Sequence, residues 1–111
     1  MEIQENKHGA VAVLKPVGPV VHTDAEQLKD LLLQVQQRSL GRLVLDASAV
    51  PFIDSRGLEI LLEVNEELHR AGRALKLCGL NDVLREVLDL TDLSSSFEHF
   101  LDVNSAVRSF L

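Results

Sequence analysis

The sequence predicts an α/β fold: one domain over residues 1–111, with a mixed, mostly parallel sheet of about five strands and about four helices packed against it. Three observations carry this reading. From Val44 onward, short apolar runs alternate with longer segments whose apolar residues recur every three or four positions, so parallel strands are joined by helical crossovers. Upstream, the chain reads as extended and is punctuated by Gly9, Pro16, Gly18 and Pro19, which places an antiparallel edge at the N-terminal end. At 111 residues the chain supports one compact core, burying roughly two-thirds of its unfolded surface.

Taken in order, Glu2–Asn6 and Gly9–Lys15 have strand composition, with a turn signal at His8-Gly9, and Pro19-Val20-Val21 reads as a continuation or edge piece. Thr23-Asp24-Ala25-Glu26 matches a capping box, in which the Thr23 hydroxyl and the Glu26 carboxylate satisfy free helix N–H groups. The helix it opens carries Ala25, Leu28, Leu31, Leu32 and Val35 on one stripe, and Lys29, Asp30, Gln34 and Gln37 face water. Leu43-Val44-Leu45, closed by Asp46, is too short for a helix and fits a central strand covered on both faces. A helix from Ser55 to Ala71 follows, with Leu58, Leu61, Leu62, Leu68 and Ala71 inward. Gly72 ends it. Arg73–Cys78 is the next strand, Asn81 caps a helix through about Leu90 with Val83, Leu84, Val87 and Leu88 as its stripe, and Ser94–Ser96 make a polar turn. Phe97–Phe100 is a last short strand, and Asp102 or Asn104 opens a final helix.

Composition excludes several functions. A net charge of −6 opposes nucleic-acid phosphates and anionic membrane surfaces, and no apolar run approaches the ~20 residues that span a bilayer. The polar start, Met1-Glu2-Ile3-Gln4-Glu5, is unlike a signal peptide, and the single Cys78 forms no internal bridge, so a cytoplasmic location is expected. His8, His22, His69 and His99 lack metal-ligand spacing, and neither Gly-rich nucleotide loop is present, so no metal or cofactor is expected. Asp46, at the end of a central strand, lacks the acidic pair and the lysine that a phosphorylated receiver aspartate requires.

The stretch Val50–Leu58 is where the central strand turns into the long helix. Phe52 and Ile53 are expected to be buried, and the Asp54-Ser55 pair to be presented outward at a helix N-terminus. Ser55 is not a hydrolase nucleophile, because the flanking Gly-x-Ser-x-Gly is replaced by Ile53 and Gly57. By itself the pair fits an ordinary helix cap, and Glu59, Glu63, Glu66 and Glu67 fit a solvated face.

Leu43-Val44-Leu45-Asp46, Phe52-Ile53-Asp54-Ser55-Arg56-Gly57-Leu58 and Gly72–Leu77 together resemble a STAS domain, the family of bacterial anti-sigma-factor antagonists and of cytoplasmic domains of sulfate transporters. Thr23–Leu28 is similar to its first helix start and Val83–Leu88 with Leu93 to its third helix, so the resemblance spans nearly the whole chain. Arg56 departs from the small or hydroxyl residue usual in the motif, and Gly18-Pro19-Val20-Val21 lacks the acid of the family's Gly-x-x-Asp. In the antagonists, the motif serine is phosphorylated by the anti-sigma factor itself, a serine kinase that the unphosphorylated form captures. The resemblance therefore implies a non-enzymatic regulator with Ser55 as phosphate acceptor. It implies a kinase partner that binds the ATP and magnesium, and a serine phosphatase that resets the switch. The docking surface would comprise Asp54, Ser55, Arg56, Gly57, Glu59 and Glu63, the two glutamates meeting basic residues of the partner. Helix N–H groups and Arg56 would steady the phosphate. The alternatives are a STAS domain serving as a constitutive scaffold or as an accessory subunit of a membrane transport complex, and a small phosphoryl-transfer or nucleotide-binding protein.

Overall fold

A computed structural model describes residues 1–111. Strands β1 (Glu2–His8), β2 (Val11–Val17), β3 (Leu43–Asp46), β4 (Lys76–Cys78) and β5 (Glu98–Phe100) form a five-stranded sheet in sequence order. Only the β1–β2 pair is antiparallel; the others are parallel and are joined by helices α1 (His22–Arg38), α2 (Ser55–Arg70) and α3 (Asp82–Leu90), with α4 (Val103–Arg108) after β5. The predicted class and its antiparallel edge are therefore both present.

The period-two alternation of the strands sorts the core into two layers. Ala12, Leu14, Leu43, Leu45 and Leu77 point towards Leu28 and Leu32 of α1, Ile60, Val64 and Leu68 of α2, and Leu84 and Leu88 of α3. Val11, Val13, Val44 and Cys78 point the other way, onto Ala106 of α4 and its neighbours Val103, Val107 and Phe110. A central strand with both faces covered has to be apolar throughout, as Leu43-Val44-Leu45 is.

Several boundaries differ from the sequence reading. The first strand runs longer than expected and the second sits two residues further along at its expected length, and they meet at a two-residue turn of Gly9 and Ala10, not His8 and Gly9, with His8 opposite Val11. Gly9 has φ of +64°, the sign that tight hairpin turns demand at a central residue. Pro16 is tolerated inside β2 because it lies beyond Leu14, the last residue that pairs with β3.

The capping box at Thr23 does not form. Helix α1 already starts at His22, its cap residue is Val21, and no side chain of its own closes the first turn. Glu26 instead reaches Arg56 across the helix pair. In α2 the buried stripe is Gly57, Ile60, Leu61, Val64, Asn65 and Leu68, while Leu58 and Leu62 are half-buried and Ala71 is exposed. Asn65 holds a core position because both ends of its amide are used: Nδ2 donates to the Ser96 carbonyl at 2.7 Å and Oδ1 accepts from the Leu75 N–H at 2.7 Å. The Asn65 contact also accounts for the shortness of β4, since the Leu75 amide is held by a side chain where a longer strand would use it in the ladder. Val83 is 51% exposed and does not belong to the α3 core stripe.

Candidate functional site

The site lies where β3 leaves the sheet at its C-terminal end and the chain turns into α2. The connection is pinned from two sides. Val20, just past β2, donates to the Phe52 carbonyl at 3.1 Å and accepts from the Asp54 N–H at 3.2 Å, a one-residue parallel bridge to Ile53. From the other side Asn81, the α3 cap residue, donates its Nδ2 to the Val50 carbonyl at 3.1 Å and to the Pro51 carbonyl at 3.3 Å. Gly57 completes the seat of the helix: a Cβ there would lie 2.5 Å from the Val20 carbonyl oxygen and 3.1 Å from the Ile53 Cβ, so only glycine lets α2 close against Val20.

Asp54 caps both helices that begin here. Its Oδ1 accepts from the Gly57 N–H at 2.8 Å, satisfying the first turn of α2, and its Oδ2 accepts from the His22 N–H at 3.0 Å, at the start of α1. The Gly57 N–H, with the His22 N–H behind it, holds the Asp54 carboxyl below the usual carboxylate range against an opposing desolvation. His22 adopts φ of +50°, a left-handed conformation that costs a non-glycine residue of order 1 kcal/mol and that places its N–H on Asp54. The His22 Nδ1 also lies 3.5 Å from Asp54 Oδ2.

Ser55 is the first residue of α2 and is exposed. Since Asp54 does the capping, the Ser55 hydroxyl has no hydrogen-bond partner within the protein and the Ser55 N–H has no backbone acceptor, while the Arg56 N–H is turned to the Asp54 carboxylate. The arrangement is a free nucleophilic oxygen beside the free Ser55 N–H at the positive end of a sixteen-residue helix.

Arg56 is placed differently from the expectation that it would steady a phosphate on Ser55. Its Nε and NH2 fork onto the Glu26 carboxylate of α1, the latter at 3.1 Å, and its NH1 bonds Glu59 at 3.1 Å and Glu63 at 3.0 Å. The Glu26 and Glu63 carboxylates push the guanidinium well above its ordinary range, and Lys29 of α1 closes the network on Glu63 at 2.9 Å. Three carboxylates and two cations thus staple α1 to α2, and both glutamates expected to meet a partner's basic residues are engaged internally, Glu63 by two cations and Glu59 at one end. Gly57, also assigned to the docking surface, is buried and acts from below.

Phe52, expected to be buried, is 49% exposed, with Pro51 exposed beside it. The bridge to Val20 uses Ile53, and in extended chain the neighbouring side chain points to the opposite face. That alternation was the signal available in the sequence. Phe52 thus presents an apolar ring three residues before Ser55. Elsewhere, no group of three or more His, Cys, Asp or Glu side chains is arranged to hold a metal ion. The buried Cys78 thiol is pushed up to about 12 by desolvation, away from the reactive thiolate. Asp46 is buried and accepts from the Ser48 N–H at 3.0 Å. No helix is long and apolar enough to cross a membrane.

Comparison with known proteins fits this geometry. The family profile of the STAS domain matches residues 2–106. The chain is 30% identical over 102 residues to the anti-sigma-F factor antagonist RsfB of Mycobacterium tuberculosis, covering 90% of this chain and 81% of that protein. Among solved structures it is similar to an anti-sigma factor antagonist from Mycobacterium paratuberculosis, with a TM-score of 0.85, 26% identity, and coverage of 97% of this chain and 92% of that one. It also shares its fold with the Bacillus cell fate determinant SpoIIAA in the phosphorylated form, with a TM-score of 0.74, 17% identity, and coverage of 99% and 100%.

Proposed function

The chain belongs to the STAS domain family, and from that premise we propose that it is an anti-sigma-factor antagonist that captures a serine-kinase anti-sigma factor and releases it once Ser55 is phosphorylated. The observation that carries this reading is the unpartnered Ser55 hydroxyl on the first turn of α2, next to an Asp54 that already caps the helix. A serine with no task in the fold is free to be modified. The names borne by RsfB and by the paratuberculosis protein support the antagonist role, and the phosphorylated SpoIIAA supports a fold that tolerates a phosphate.

The physics of release follows from charge and burial. Phosphorylation adds about −1.5 to −2 charges at the helix N-terminus, where the free Ser55 N–H and the positive end of the helix dipole stabilise them, so the fold survives. A partner packed over Ser55, with Phe52 as an apolar contact at its edge, would have to desolvate that dianion beside Asp54, at a cost of several kcal/mol. Capture is lost while the domain stays intact. In this reading residues 1–111 act as one domain in the cytoplasm and by binding alone. The nucleotide and its magnesium sit on the kinase, and a serine phosphatase restores the hydroxyl.

The test uses the anti-sigma factor that co-purifies with the chain. Intact mass after incubation with ATP is expected to rise by one phosphate only when that kinase is present, and not in Ser55→Ala. Ser55→Ala should bind the kinase as the wild type does, and Ser55→Asp at least about tenfold more weakly, since each 1.4 kcal/mol is a factor of ten. Equal affinity of the two variants, or a phosphate on another residue, would reject the switch. Co-purification with transporter subunits and no phosphate would favour the scaffold.

A further inference from the structure

We propose that the cleft between the β1–β2 turn and the C-terminal end of α1 is a binding site for a small phosphate-class oxyanion, either inorganic phosphate or the phosphate of a monoester. The cleft holds about 210 Å³ and lies at the opposite end of β2 from Ser55. Lys7, Arg38 and Arg42 all line it, in a protein whose net charge is −6. Its one carboxylate, Glu5, is engaged by Arg38 at 3.2 Å. Lys7 and Arg42 make no ion pair and their side chains donate no hydrogen bond within the protein; Lys15, Arg73, Arg85 and Arg108 are also without an ion pair, but none of these lines the cleft. Two cations left unneutralised in one cleft of an acidic protein repel each other, and an anion between them removes that repulsion and adds charge-assisted hydrogen bonds.

The backbone contributes donors as well. Gly9 and Ala10, at the turn that rims the cleft, are exposed, and their N–H groups have no acceptor in the protein. Carbonyls at the end of α1 would repel an anion if they were free. Instead the Ser39, Leu40 and Gly41 N–H groups close on the Val35, Gln37 and Gln36 carbonyls at 2.9, 3.3 and 2.8 Å, and the Arg42 N–H closes on Ser39 at 3.1 Å. A guanidinium fork, an ammonium and two amides around a compact volume suit a tetrahedral oxyanion. A cation would find a single carboxylate, already shared.

The experiment is a titration of the ¹⁵N-labelled full chain followed by amide chemical shifts. Inorganic phosphate and phenyl phosphate are the two probes, and sodium chloride at matched ionic strength is the reference. Saturable shifts at Gly9, Ala10 and Arg42 are expected with a Kd of about 1 mM, which corresponds to about −4 kcal/mol of binding free energy. Tighter binding of phenyl phosphate would assign the site to monoesters, and tighter binding of inorganic phosphate to the free anion. Arg42→Gln and Lys7→Gln should each weaken the shifts about tenfold, the loss expected for one charge-assisted contact, while Lys15→Gln, outside the cleft, retains them. Dispersed spectra of the variants establish that they are folded. Shifts that chloride reproduces, that do not saturate, or that survive in Arg42→Gln overturn the proposal.

Discussion

Asp54 and Ser55 are adjacent and both are common helix caps, yet they do different jobs. Both Asp54 oxygens are committed, one to each helix start, while the Ser55 hydroxyl is committed to nothing within the fold. Thermal melts separate the two. Ser55→Ala should leave stability within about 0.5 kcal/mol of the wild type, as for a surface substitution that breaks no contact. Asp54→Ala should lower Tm by several degrees, because two first-turn N–H groups lose their acceptor at once. The Asp54 carboxyl is depressed in the folded protein, so its stabilisation is present above the ordinary aspartate pKa and is lost as pH falls through the lower folded value. The gap between wild-type and Asp54→Ala melting temperatures should therefore close on acidification. An equal gap at neutral and strongly acidic pH would count against the double cap.

At the scale of the helix, α2 is held by the absence of a side chain at one end and by a network of charges along its side. Gly57 allows the first turn to press against the Val20 carbonyl, and any larger residue must push the helix away from the strand extension that positions Ser55. Gly57→Ala should cost roughly 1–3 kcal/mol of unfolding free energy in urea, in the range of overpacked sites and despite the better helix propensity of alanine. A stabilised Gly57→Ala would mean that the approach is looser than described. The pair of half-exposed ions Arg56 and Glu26 contributes to orientation more than to stability, since exposed ion pairs are individually weak. Its consequence is positional: Arg56 is drawn towards α1 and away from the hydroxyl that precedes it.

Across the whole molecule the sheet separates two layers of unequal size, and the smaller one depends on a buried lysine. Lys76 of β4 donates to the Ser109 hydroxyl at 2.6 Å and lies 3.8 Å from the centre of the Phe110 ring, holding the C-terminal segment to the sheet, with Glu98 at 3.9 Å. Desolvation, with Glu98 opposing it and Arg73 adding to it, lowers the Lys76 pKa in the folded state. Between that value and the ordinary lysine pKa the unfolded chain binds more protons, so this residue makes stability rise with pH there. The melting temperature of the wild type relative to Lys76→Met is expected to climb across the alkaline range; a flat difference would show that burial does not govern this group.

Much of this was legible in the residues. The alternation of short apolar runs with periodic segments named the elements, the edge strands and the apolar centre. The Asp-Ser-x-Gly-Leu stretch marked the turn from β3 into α2, and Asn81 and Asp102 were visible as caps because capping operates within a few positions of the chain. What only the folded arrangement decided was which group serves which when candidates compete: Asp54 rather than Thr23 at the start of α1, Glu26 for Arg56 rather than for its own helix end, and Phe52 outward while Ile53 joins Val20. Each of these pairs residues about thirty positions apart. Periodicity and propensity report on neighbours along the chain, whereas the choice among chemically equivalent partners depends on strand order and helix crossing, which bring α1 alongside α2 and place one aspartate between their two open ends.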